Sequence, residues 1–119
     1  MSVVVTGAAG FIGRAVVAAL RDRGRDVVGI DRRTWAPSAG ERVIRASLED
    51  GGPDVRDALL DADAVIHLAG CPGVRDLTAD IALRRHRDNV LAGEIVLTQV
   101  PLATPVVVTS SSSVYGGSV

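Results

Sequence analysis

The chain has 119 residues, of which 47% are apolar and 23% charged, and its formal net charge is −1. This composition is typical of one folded domain and argues against intrinsic disorder, while the near-zero charge argues against a protein that binds nucleic acid or anionic membranes. No apolar run approaches the roughly 18 residues of a membrane span, no secretory signal is visible, and a single cysteine permits no internal disulfide, so we expect a cytoplasmic protein without a metal site.

The first elements alternate short apolar strands with an amphipathic helix. A strand is predicted over residues 3–5, a helix over 11–23 and a second strand over 26–31, with Gly24 where a helix stop is expected. The apolar face of the helix is assigned to Ile12, Val16, Ala19 and Leu20.

The alternation continues along the rest of the chain. Further strands are predicted over residues 42–46, 64–70 and 106–110, and further helices over 53–60 and 78–100. Because the strands are almost continuously apolar and alternate with helices, the pattern predicts an α/β fold. We expect one domain over residues 1–119, a doubly wound parallel sheet of order 3-2-1-4-5.

Three glycines mark the turn between the first strand and the first helix. Gly7 allows a tight chain reversal, Gly10 allows the backbone to approach a pyrophosphate, and Gly13 allows the helix to pack closely. Backbone N–H groups from Ala9 to Ile12 are then expected to point at the phosphates, where the positive end of the helix also favours negative charge. The spacing therefore predicts a phosphate-binding turn.

An acidic residue follows this turn at the distance that a dinucleotide-binding fold requires. Asp31 lies 18 residues beyond Gly13 at the end of the second strand, where a carboxylate accepts hydrogen bonds from ribose hydroxyls. We therefore predict a Rossmann-type fold that binds a dinucleotide. The charge of Asp31 repels a 2′-phosphate and favours NAD, whereas Arg32 and Arg33 attract that phosphate, so NADP stays open as the alternative.

Four stretches occur together in a characteristic order, namely VVVTGAAGFIG, DADAVIHLAG, DNVLAG and VVVTSSSSVYGG. In combination they resemble the extended short-chain dehydrogenase/reductase family, and within it the NAD-dependent nucleotide-sugar epimerases and dehydratases. The resemblance spans the whole chain and corresponds to the N-terminal part of that family. It implies a nicotinamide coenzyme and a small-molecule substrate of the nucleotide-sugar class.

The charge pattern and the resemblance together predict a set of cofactor-binding residues. These are Gly7, Gly10, Phe11, Ile12, Gly13, Asp31, Arg32, Leu48, Leu68, Ala69, Gly70 and Asn89. The resemblance places Leu48 against adenine and Asn89 on the nicotinamide side. Ser47 departs from the family pattern, because an Asp that would accept a bond from the adenine amino group is expected there.

The serine run supplies the candidates for substrate contact. The resemblance implies that the hydroxyl of Ser111 bonds the reacting sugar hydroxyl, with Ser112 as its neighbour. Tyr115 is a further candidate as a proton carrier, although the catalytic Tyr of the family is a different one. Three other reactive side chains are interpreted as non-catalytic: His67 as a core histidine, Cys71 as a small packing residue and His86 as part of a solvated helix face.

The resemblance also implies a catalytic motif that this sequence lacks. The family's base is the Tyr of a Tyr-x-x-x-Lys motif after the fifth strand, whereas all 13 basic residues here are Arg and the sequence stops before that helix and the sixth strand. We therefore expect the NAD(P)-binding portion of a hydride-transferring epimerase/dehydratase, inactive alone and completed by a C-terminal segment or a second copy. The alternative is a stand-alone, non-catalytic dinucleotide-binding sensor or partner module.

Overall fold

The computed structural model of the chain describes residues 2–48, 52–69 and 90–109. Its elements in chain order are β1 (Ser2–Thr6), α1 (Phe11–Asp22), β2 (Val27–Asp31), β3 (Glu41–Arg45), α2 (Gly52–Leu60), β4 (Ala62–His67), α3 (Ala92–Gln99) and β5 (Val106–Val108). The strands pair in parallel in the order β3-β2-β1-β4-β5. This order confirms the predicted doubly wound sheet.

Strand bounds differ from the predicted ones by a few residues, and β4 shows why. It ends at His67: the Leu68 N–H is shared between the carbonyl and the hydroxyl of Thr6, at 3.2 and 3.1 Å, and the Ala69 N–H donates to that hydroxyl at 3.2 Å. A side-chain acceptor on the neighbouring strand therefore terminates the ladder earlier than the apolar pattern indicates. The first part of the helix predicted over residues 78–100 lies outside the described residues.

Apolar side chains fill both faces of the sheet. On one face, β1, β2 and β4 pack with α2 and α3, and the buried residues include Val4, Ile30, Leu59, Val65 and Val96. On the other face, Val5 and Val27 pack against Val17 of α1. Two covered faces are what a parallel sheet requires.

The buried face of α1 differs in part from the predicted one. Gly13 and Val17 are buried, whereas Ile12 is 60% exposed. Val16 and Leu20 are partly buried against the core, and Ala19 is exposed. The difference arises because Gly13, which the apolar pattern passes over, is the residue that faces the turn after β1.

The strand β5 is one of the two edge strands of the sheet that the described residues form, and β3 is the other. Strand β5 is only three residues long, and its Val107 and Val108 side chains are 58% and 54% exposed. Within the described ranges, no helix is long and apolar enough to cross a membrane.

Candidate coenzyme-binding site

Three polar side chains meet where parallel strands end at the same edge of the sheet. Thr6 ends β1, Asp31 ends β2 and His67 ends β4, and all three are buried. Thr6 pairs with Ile30 on one side and with His67 on the other, so the ends of β1 and β4 are level and β2 extends one residue further, to Asp31. Ligands of open α/β sheets bind outside this edge, where the strand order reverses.

Two of the glycines after β1 are required by close approach. Gly7 has a left-handed φ of 70°, and a Cβ on it would lie 2.8 Å from the nitrogen of Ala69. A Cβ on Gly13 would lie 2.2 Å from the carbonyl oxygen of Gly7. The helix therefore rests directly on the turn, and the turn rests on the chain that follows β4.

The N-terminus of α1 lies beside this turn without a side-chain cap. Gly10 is the N-cap, the first helical turn contains no acidic residue, and Phe11 is 95% exposed. The first N–H groups of a helix have no partner within it, and they favour an anion. An uncapped helix end at this edge fits a pyrophosphate.

The expectation that N–H groups from Ala9 to Ile12 all point at phosphates needs correction. The Ala9 N–H donates to Oδ2 of Asp31 at 3.0 Å, and the Gly10 N–H donates to the carbonyl of Gly7 at 3.1 Å. These two donors hold the turn itself in shape. The donors offered to a ligand are those of the first turn of α1, beginning at Phe11.

The Asp31 carboxylate is buried and strongly hydrogen-bonded. Besides the Ala9 N–H, it accepts bonds from three donors of Arg33: the backbone N–H at 2.9 Å and Nε at 3.2 Å, both to Oδ1, and Nη2 at 3.0 Å to Oδ2. Burial by itself would raise the pKa of this carboxyl, but the bonds from Arg33 and Ala9 outweigh burial and lower the pKa below its ordinary value of 3.8. Asp31 is therefore held ionised at the strand end.

Thr6 and His67 tie the ends of β1 and β4 together. The Thr6 hydroxyl oxygen already accepts the N–H groups of Leu68 and Ala69, so its own proton is donated to Nδ1 of His67, 2.6 Å away. This places the imidazole proton on Nε2. Burial lowers the pKa of His67, in keeping with a neutral ring. His67 is thus the core histidine that the sequence predicts.

A second buried carboxylate, that of Glu41, holds the loop after β2, and sequence reasoning missed it. Glu41 accepts bonds from Arg14 at 2.6 and 2.8 Å, from the Ser38 N–H at 2.9 Å and from the Trp35 indole at 3.3 Å. Arg14 also donates to the carbonyl of Ala8 and lies 5.6 Å from the centre of the Trp35 ring. These contacts therefore hold the loop that follows β2 against the glycine turn. The apolar face that helical spacing assigns to this helix does not include Arg14, and nothing in that pattern identifies its distant partner.

The other predicted cofactor residues have varied surroundings. Leu48 is 5% exposed and packed in the core, and Arg32 is exposed. Leu68 and Ala69 are partly buried beside the glycine turn. Several predicted residues lie outside the described ranges, namely Gly70, Asn89, Ser111, Ser112 and Tyr115, together with Cys71 and His86. The contacts of the predicted set with a coenzyme or substrate stay predictions.

Comparison with known protein families agrees with this geometry. The model of the NAD dependent epimerase/dehydratase family matches residues 3–118. UDP-glucuronate 4-epimerase 3 of Arabidopsis thaliana is 39% identical over 97% of this chain, and UDP-glucuronate 4-epimerase 1 of the same plant is 37% identical over 98%. The chain spans only 30% and 31% of the lengths of these two relatives.

Solved structures extend the likeness to three dimensions. MoeE5 in complex with UDP-glucose and NAD superposes with a TM-score of 0.84 at 43% identity, over 99% of this chain and 39% of that one. UDP-glucuronic acid 4-epimerase from Bacillus cereus, in complex with UDP-glucuronic acid and NAD, gives a TM-score of 0.82 at 29% identity. The match covers 100% of this chain and 43% of that one. A short-chain dehydrogenase/reductase superfamily protein from Agrobacterium tumefaciens with bound NAD gives a TM-score of 0.81 at 37% identity. The match covers 98% of this chain and 34% of that one.

Proposed function

Because this chain belongs to the NAD dependent epimerase/dehydratase family, we propose that it binds NAD at the carboxyl edge of its sheet. The observation that carries the proposal is the pairing of an uncapped helix N-terminus with an ionised Asp31 across the glycine turn. The helix end suits the pyrophosphate, and the carboxylate suits the hydroxyls of the adenosine ribose. NAD in the structures of MoeE5 and of the Bacillus cereus epimerase supports the choice of coenzyme.

We further propose that the chain is the NAD-binding portion of an oxidoreductase that transfers hydride to and from a nucleotide sugar. The UDP-sugars in the complexes of MoeE5 and of the Bacillus cereus epimerase support this substrate class. Ser111 and Ser112 would then contact the sugar, and Tyr115 is the remaining candidate for a proton carrier. With no Lys in its 119 residues, the chain cannot supply the Tyr-x-x-x-Lys base that the family resemblance implies, so we expect little turnover from it alone.

The exposure of β5 supports this proposal over a self-sufficient binding module. Val107 and Val108 leave apolar surface beside an outer strand, and small stable modules normally shield such an edge. A further segment or a second copy that covers this edge would serve both stability and catalysis. A non-catalytic dinucleotide sensor is the alternative function.

Calorimetric titration of the 119-residue chain with NAD tests the coenzyme site. We expect binding, and we expect Asp31→Asn to weaken it by about tenfold to a hundredfold, because charge-assisted bonds to the ribose are lost. The matched control is Asp63→Asn, which changes an exposed carboxylate on β4. Affinity that is equal in the two variants would contradict the proposed ribose contact.

A complementation assay separates the enzyme portion from the sensor. The chain is mixed with the C-terminal part of a longer relative that contains Tyr-x-x-x-Lys, and conversion of UDP-glucuronic acid is followed. Turnover that requires both polypeptides, and that falls on Ser111→Ala, supports the enzyme portion. NAD binding without any turnover in the mixture favours the sensor.

A further inference from the structure

One peptide unit of the glycine turn is held at both of its ends by charged side chains. Its oxygen, the carbonyl of Ala8, accepts a hydrogen bond from Nε of Arg14. Its N–H, which belongs to Ala9, donates to Oδ2 of Asp31 at 3.0 Å. A guanidinium at the oxygen and a carboxylate at the N–H act on the peptide dipole in the same sense, so the two bonds strengthen each other. The Ala8–Ala9 peptide unit is therefore fixed in one orientation.

Arg14 is itself held in place by a buried partner. Its Nη1 and Nη2 donate to Glu41 at 2.8 and 2.6 Å, and the Glu41 side chain is 0% exposed. Gly29 on β2 leaves the space for this carboxylate, because a Cβ there would lie 2.1 Å from Oε2 of Glu41. The guanidinium thus contacts Glu41 with two of its nitrogens and Ala8 with the third, which restricts its rotation.

The orientation of this peptide unit matters to an anion at the start of α1. Ala8 is buried, and the unit lies just before Gly10, the N-cap of the helix. If the unit rotated, the Ala8 oxygen would turn toward the Asp31 carboxylate, and its partial negative charge would oppose that carboxylate and a pyrophosphate beside it. A turn fixed in the observed orientation is ready for the coenzyme. A rotating turn binds it only for the fraction of time spent in that orientation.

We propose that Arg14 is a positioning residue of the coenzyme site, because its Nε holds the Ala8–Ala9 peptide unit in the orientation in which the glycine turn accepts the pyrophosphate. Arg14 acts through the backbone of the turn, and Glu41 acts one step further away, through Arg14. The proposal rests on the proposed function, because this turn is the one to which we assign NAD.

Two substitutions separate the positioning of the turn from the support of the fold. Arg14→Lys keeps a charge that can pair with Glu41, but a single ammonium does not replace a planar fork that contacts two partners. Glu41→Gln keeps the guanidinium and its Nε contact with Ala8, while it removes the buried charge. Arg23→Lys, at the C-terminal end of α1, is the matched control. Calorimetry measures NAD affinity, urea unfolding measures stability, and backbone amide NMR spectra report on the Ala9 N–H.

We expect Arg14→Lys to weaken NAD binding about tenfold, as for a turn that keeps the binding orientation about one-tenth of the time. Glu41→Gln should weaken NAD binding by about threefold or less, although it lowers the urea midpoint more than Arg14→Lys does. The Ala9 amide proton should move upfield in Arg14→Lys, with and without NAD, because its bond to Asp31 loosens. In Arg23→Lys both the affinity and this proton should stay unchanged.

Three results would refute the role of Arg14 and leave the proposed function standing. One is equal NAD affinity in the unsubstituted chain and in Arg14→Lys. Another is a loss of affinity that follows the urea midpoints while the Ala9 proton does not move, since Arg14 would then only support the fold. The third needs no variant: an Ala9 amide that exchanges rapidly with solvent in the unsubstituted chain. If the unsubstituted chain binds no NAD, both proposals are refuted.

Discussion

Asp31 and Glu41 are carboxylates on neighbouring strands, and each is paired with an arginine, yet their surroundings differ. Glu41 has a side chain that is 0% exposed, and its partner Arg14 is 26% exposed. Asp31 is 5% exposed, but its partner Arg33 is 60% exposed. The first pair is enclosed by Trp35 and the loop after β2, whereas the second faces solvent across the glycine turn.

The difference shows how one kind of ion pair can serve two purposes. An enclosed pair gains from low dielectric and from having all of its lone pairs occupied, so breaking it leaves an uncompensated charge. A pair with one exposed partner exchanges that partner with water or a ligand at small cost. On this argument Glu41 stabilises the fold around the site, and Asp31 is available to a ligand.

The largest expected effect is the loss of the enclosed pair. Glu41→Gln should lower the free energy of unfolding by about 3 kcal/mol, because it leaves the Arg14 charge without its carboxylate. Asp31→Asn should lower it by only about 1 kcal/mol, because Arg33 returns to solvent. Urea unfolding measures both, with the exposed Glu94→Gln on α3 as the control. Equal losses for Glu41→Gln and Asp31→Asn would remove the distinction between the two pairs.

A somewhat smaller effect is expected where α1 contacts the glycine turn near both pairs. Gly13→Ala would place a Cβ 2.2 Å from the Gly7 carbonyl, so we expect a loss of about 2 kcal/mol in unfolding free energy together with weaker NAD binding. Gly93→Ala on α3 is the matched control, because its Cβ would find its nearest neighbour 4.0 Å away at His67. That control should be neutral or slightly stabilising. A Gly13→Ala chain as stable as the control would contradict the close contact.

Acid unfolding compares the two carboxyls directly. Burial would raise the pKa of each, but the hydrogen bonds from Arg33 and Arg14 lower it, below 3.8 for Asp31 and below 4.5 for Glu41. The unfolded chain therefore takes up protons first, and the stability contributed by each group is lost as the pH falls through its lowered pKa. Below about pH 4.5 we expect the urea midpoint to fall, and Glu41→Gln to flatten this fall more than Asp31→Asn. The reverse order would mean that Asp31 is the more firmly paired group.

The smallest expected effect concerns the buried imidazole of His67. Burial lowers the pKa of His67 below 6.5, so the unfolded chain binds a proton first and stability declines as the pH falls below 6.5. His67→Asn keeps an acceptor for the Thr6 hydroxyl and removes the titration, so this decline should disappear. The urea midpoint between about pH 5 and pH 7 measures it, above the range in which the carboxyls titrate. An unchanged decline in the variant would assign it to another group.

Much of the fold could be predicted from local patterns. Apolar strands that alternate with helices predicted the sheet order. The spacing from Gly7 to Asp31 predicted that the candidate coenzyme site lies at the carboxyl edge of the sheet. Short-range rules failed where a distant side chain intervened. Thr6 ends β4 early, because its hydroxyl accepts the N–H groups of Leu68 and Ala69. The apolar pattern of α1 was wrong for a local reason, because Gly13 and not Ile12 faces the nearby glycine turn.

The sequence by itself determined the glycine turn, the acidic strand end and the parallel strand order. The periods of strands and helices and the steric limits of the backbone act over a few neighbouring residues, so they can be recognised in the sequence. Only the tertiary structure decided which charges are enclosed. Arg14 and Glu41 are 27 residues apart in the chain, and Thr6 and His67 are 61 apart, yet each pair is in hydrogen-bonding contact. Burial and pairing depend on what the folded chain brings around a group, and this sets the free energy of its charge.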